Sequence, residues 1–101
     1  METVVVTVSH SLGKDEVIRR LKPAFSTASQ SFPILKVEHE AWSDNRLDFR
    51  VRAIGQVVAG NVQVLDDSVR LEVGLPWLLA KFANAVERTI KSRGQLLLEK
   101  K

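Results

Sequence analysis

The sequence predicts an α+β fold, with elements in the order β-α-β-β-β-β-α and an antiparallel sheet carrying two helices on one face. Three observations predict it. Residues 35–75 alternate apolar and polar with period two, interrupted by turn-like stretches. A β-branched run opens the chain, and segments of helical period stand on either side of the alternation. An alternating sheet with one wet side must bury its apolar face, and those two segments are the available cover.

Taken in order, "TVVVTV" at 3–8 is a strand that places Val4, Val6 and Val8 on one face. "SHSLGKDEVIRRL" comes next, with Ser11 as the expected N-cap and Asp15 and Glu16 near the positive end of the helix dipole. Val17, Ile18, Leu21, Phe25 and Ala28 recur at helical spacing. Pro23 interrupts them, so a kinked helix reaching "STASQS" is expected, with "SFP" returning the chain to extended structure. "LKVEHEAW" places Leu35, Val37, His39 and Ala41 inward, and "SDNR" turns. "LDFRVRA" sets Leu47, Phe49 and Val51 inward against Asp48, Arg50 and Arg52 outward. Gly55 breaks the run; "QVVAGNVQV" is the next strand, with Gly60 at a bulge or close approach; "LDDS" turns into "VRLEV". Pro76 suits the first turn of a final helix whose stripe is Leu78, Leu79, Phe82, Val86 and Ile90, and Gly94 caps or loosens that helix before "QLLLEKK". Trp77, at the hinge, is expected to plug the end of the core. The whole is a single domain over residues 1–101, with a loose tail at 95–101, and is similar to a reduced helix-grip arrangement.

A chain of 101 residues supports one modest core and no deep enclosed site. No cysteine is present, which excludes disulfides, thiol catalysis and thiolate metal sites. His10 and His39 are far apart and in no metal-ligand spacing, so neither a metal nor a cofactor is expected. No apolar run is long enough to span a membrane, the N-terminus has no secretory pattern, and a cytoplasmic protein is expected. The net charge of +3 favours anionic surfaces without demanding one.

Several residues invite chemistry and are better explained without it. Ser9, His10 and Ser11 resemble a nucleophile beside a base, yet small polar residues are what a strand-to-helix junction needs. His39 is expected as a satisfied core or rim residue. Asp44, Asp66 and Asp67 fall in turns, and Asp48 is expected to pair across strands with an arginine. No enzyme is expected. Arg46, Arg50, Arg52 and Arg70 share the solvent face of the sheet, but acidic residues interrupt them. Only Trp42 could supply the stacking that single-strand binders use, so nucleic acid is not an expected partner.

The apolar residues near the end of the chain exceed what one face of a small sheet can cover. Trp77, Leu78, Phe82, Leu96, Leu97 and Leu98 are therefore the candidate apolar or partner surface, flanked by Lys81, Arg88, Lys91, Arg93, Lys100 and Lys101. "HSLG" at 10–13, the tryptophan, turn and "LDF" unit at 42–49, Gly55 and Gly60, "DDSVRLEV" at 66–73 and "LPWLLAKF" at 75–82 together resemble the polyhydroxyalkanoic acid system protein family over nearly the full length. Pro23 departs from the smoother first helix expected of that pattern. The resemblance implies a protein associated with polyhydroxyalkanoate storage granules and carries no catalytic residues. The expected function is thus non-catalytic, binding the granule surface or an apolar small molecule. The competing expectation is a homodimeric structural or regulatory interaction module with no ligand.

Overall fold

The structure, a computed structural model, describes residues 2–27 and 35–99. Five strands form one antiparallel sheet: β1 (Glu2–Ser9), β2 (Leu35–Ser43), β3 (Arg46–Ala53), β4 (Gln56–Val64) and β5 (Ser68–Leu75), in the spatial order β1-β5-β4-β3-β2. Two α-helices complete it, α1 (Lys14–Ser26) and α2 (Ala83–Leu97), and a 3-10 helix (Trp77–Phe82) joins β5 to α2. The α+β class and the element order are those the sequence predicts.

The register explains the core. Val4, Val6 and Val8 of β1 stand opposite Val73, Leu71 and Val69 of β5; Val62 and Val64 of β4 continue the rows, and Leu47, Phe49 and Val51 extend them onto β3. Val17 of α1, Leu79 of the 3-10 helix and Leu98 close this layer from above, with Leu47, Val17 and Val64 the most deeply buried of the large side chains. Gly60 lies opposite Phe49, where an added Cβ would meet the ring Cζ at 2.7 Å and the backbone carbonyl of Glu72. Close approach is therefore the reason for glycine here, and the Phe49 ring in turn packs on Phe25 of α1 with centroids 5.2 Å apart.

Several local expectations are corrected. The bulge lies in β2, not at Gly60: pairing skips Glu38, between Val37 opposite Val51 and His39 opposite Arg50. One extra residue inverts every later side chain. His39 and Ala41 therefore face solvent with Arg50 and Asp48, whereas Glu40 and Trp42 face the helices opposite Phe49 and Leu47. The N-cap of α1 is Gly13, at φ 85 and without a side-chain cap, not Ser11. Helix α1 continues one turn beyond Pro23 to Ser26; Ala28 and the "SFP" segment lie outside the described residues.

The final helix runs through Gly94, where a Cβ would meet Val8 Cγ2 at 3.2 Å, so this glycine brings α2 close to β1 and does not cap it. Residues 95–99, expected as a tail, are docked: Leu98 is in the core, and Arg20 Nη1 donates to the carbonyls of Leu97 (3.0 Å) and Glu99 (2.8 Å). Glu16 holds that arginine, accepting from its Nε at 2.8 Å while also accepting from Arg19. The Arg19 and Arg20 hydrogen bonds keep the Glu16 carboxyl below its ordinary pKa.

Candidate interaction surface

Of the residues that invite a catalytic reading, His10 is employed in holding two loops together. His10 is nearly buried, at 9 % exposure. Its Nδ1 accepts from the Leu12 backbone N–H at 3.2 Å, which leaves Nε2 carrying the hydrogen donated to the Leu65 carbonyl at 3.0 Å. Its own backbone N–H bonds the Asp67 carbonyl at 2.9 Å. The ring thus pins the β1–α1 junction to the β4–β5 turn, and both nitrogens are occupied by backbone. Asp44 sits in the β2–β3 turn at φ 53, and Asp66 meets Lys14 at 3.7 Å on the surface. Among the described residues no group of three or more histidines and acids is placed to hold a metal ion.

The solvent face of the sheet does carry Arg46, Arg50, Arg52 and Arg70. Three of them are engaged locally: Arg46 with Asp48 (3.1 Å), Arg70 with Glu72 (3.1 Å) and Arg52 with Glu38 (2.9 Å). Asp48 pairs along its own strand and not across strands, and its hydrogen bond raises the Arg46 pKa above the ordinary value. The β2 bulge has moved Trp42 off this face. There its Nε1 donates to Glu40 at 2.9 Å on the helix side, with Lys22 Nζ 5.5 Å from the ring centroid. Among the described residues the arginine face therefore has no Trp or Phe on which a base could stack.

The candidate apolar surface divides. Trp77 is 77 % exposed, so it does not plug the core; Leu78 at 45 % and Phe82 at 43 % are exposed beside it, and Leu79 alone among the bulky apolar residues of the 3-10 helix turns inward. At three residues per turn Leu78 and Phe82, an i, i+4 pair, no longer share the face that an α-helical period would give them. Lys81 Nζ lies 5.4 Å from the Phe82 ring centroid. Leu96, 66 % exposed, lies at the far end of α2, about 21 Å of helix rise from Phe82. Leu97 is half-buried, and Leu98, 5 % exposed, belongs to the core and is not available as surface. The structure thus brings together Trp77, Leu78 and Phe82 and separates them from the leucines at the end of the chain.

The space between helices and sheet is filled by Val17, Phe25, Phe49, Leu79 and Leu98. Open hollows of about 440 and 330 Å³ lie instead on the outer side of α2, around Arg88 and Ser92, and on the solvent face of the sheet, around Asn61 and Gly74. No helix of the described residues is long and apolar enough to cross a membrane.

Fold and surface together define a small α+β domain with a self-filled core and an aromatic, lysine-flanked apolar patch where the sheet passes into its last helix. The chain belongs to the family described as "putative polyhydroxyalkanoic acid system protein", which matches residues 4–97. That family name ties the chain to polyhydroxyalkanoate systems. No curated protein and no solved structure matches it.

Proposed function

We propose that this protein is a non-catalytic, intracellular component of polyhydroxyalkanoate storage that attaches to the granule surface through the 3-10 helix. The observation that carries the reading is the exposure of Trp77, Leu78 and Phe82 together, with Lys81 against the Phe82 ring. An indole and a lysine with its long apolar stem are side chains suited to a boundary between apolar matter and water. A surface role is favoured over an enclosed apolar ligand because the interior between helices and sheet is occupied by the protein's own side chains.

The test is co-sedimentation of the purified protein with polyhydroxyalkanoate granules stripped of their own proteins, at low and high salt, beside a soluble control of similar charge. Retention that persists in high salt, and is lost in Trp77→Ser with Phe82→Ser, is the expected result. Absence of retention at either salt concentration would remove the reading.

A further inference from the structure

We infer that the granule-facing surface has a second prong, the tip of the β3–β4 hairpin with Ile54 at its apex, and that the two prongs together fit an apolar body coated with anionic amphiphiles. This rests on granule attachment through the 3-10 helix and adds to it a second chain segment and the charge of the coating.

Ile54 and Gly55 form the two-residue connection between β3 and β4, both at positive φ, 53 and 73. That is the backbone of a hairpin turn best served by Asn-Gly. A β-branched residue is poorly suited to it, because the branch crowds the backbone in the left-handed region. Burial gives no compensation, since Ile54 is 66 % exposed. An exposed isoleucine held in a strained turn, where asparagine would serve the fold better, is the kind of broken local rule that marks a functional position.

The register fixes where this tip lies. Ala53 faces Gln56 across the hairpin, and three residues further along β4 Ala59 faces Gly74, one residue before β5 ends at Leu75. The hairpin tip and the start of the 3-10 helix therefore leave the same end of the sheet, from adjacent strands about 5 Å apart. Ile54 on the one side and Trp77, Leu78 and Phe82 on the other are thus exposed apolar side chains at one end of the sheet, drawn from two segments far apart in sequence.

The charges around that end choose its occupant. Lys36, opposite Arg52 in the register, and Lys81 are exposed, while Arg52 is matched by Glu38. Among the described side chains there the excess is positive. A second copy docked edge to edge would set these lysines against their own equivalents, whereas an anionic coating over an apolar body would satisfy lysines and apolar side chains together.

The experiment uses the full chain and poly-3-hydroxybutyrate particles coated with phosphatidylglycerol or with phosphatidylcholine, and compares wild type with Ile54→Asn, Trp77→Ala and Leu65→Gln. Leu65 is an exposed leucine at the opposite end of the sheet. Asparagine is at home in the turn, so Ile54→Asn should melt at the same temperature as wild type or higher, which separates lost binding from lost folding. The expected result is about tenfold weaker retention of Ile54→Asn on the anionic particles, the worth of withdrawing part of one isoleucine from an apolar phase. Leu65→Gln should bind as wild type, and the phosphatidylcholine particles should retain every form less well. Wild-type retention by Ile54→Asn alongside loss in Trp77→Ala would overturn the second prong and leave the granule reading standing. Equal retention on both coatings would overturn the charge assignment. A concentration-dependent mass abolished by Ile54→Asn would make a second copy the occupant. If wild type is retained on neither coating, the granule reading fails and the inference with it.

Discussion

At the scale of single residues, His10 shows how far a local sequence can mislead about chemistry and still be right about structure. "SHS" is legible as a junction in need of polar side chains, but the residue that ties it down is the histidine and not a capping serine. Its key partner, the Leu65 carbonyl, is 55 residues away, and no local pattern announces such a contact. Replacing His10 by alanine leaves the Leu65 carbonyl and the Leu12 N–H without their side-chain partner. The expected cost is about 2–3 kcal/mol, read from the urea midpoint at neutral pH. A loss within a few tenths of wild type would mean that water takes over both bonds and that the ring is not the fastener. Ile54 is the opposite case, a residue whose side chain is ordinary in composition and whose strain is visible only once the turn around it is known.

At the scale of elements, the alternation of β3, β4 and β5 is legible because each strand keeps its parity from end to end. That of β2 is not, because the extra residue at Glu38 inverts every side chain after it, and a period-two reading has no means of counting it. One signal is available: uninterrupted parity puts Trp42 on the polar face and Ala41 in the core, an exchange a strand rarely makes. The 3-10 helix escapes sequence reasoning for a related reason, since "LPWLLAKF" carries an α-helical stripe that a three-residue turn cannot present.

The two helices add a contact that no periodicity foretells, the Glu16–Arg20 clamp on the Leu97 carbonyl that ends α2 and on the Glu99 carbonyl just beyond it. Because Glu16 titrates below its ordinary value when folded, the stability it lends is present above the unfolded pKa and is lost as pH falls through the folded one. The urea midpoints of wild type and Glu16→Gln should therefore differ at neutral pH and converge as the solution is taken down through and below the carboxylate range. A gap that stays constant on acidification would mean that the clamp does not depend on the glutamate charge.

At the scale of the molecule, the apolar surplus near the end of the chain is real but distributed. Leu98 is core, Leu96 lies toward the end of the sheet that also carries the exposed Leu65, and the aromatic patch lies at the other end, as does the β3–β4 tip. The size of that patch bears on the competing homodimer. Four partly exposed side chains, two of them aromatic, offer on the order of 500 Å² of apolar surface. Doubled across a two-fold axis this is roughly 1,000 Å², at or below the lower limit of specific stable interfaces. The basic rim would also be turned against itself. A patch of that size is ample for anchoring to a continuous apolar phase, where many molecules bind side by side and none needs a complementary partner. Sedimentation equilibrium across the micromolar range should therefore give a single species at 11.3 kDa, and stripped granules should deplete it from the supernatant. A mass that rises with concentration and returns to that of the monomer in Trp77→Ser would transfer the patch to a self-interface and make the interaction module the better account of the fold.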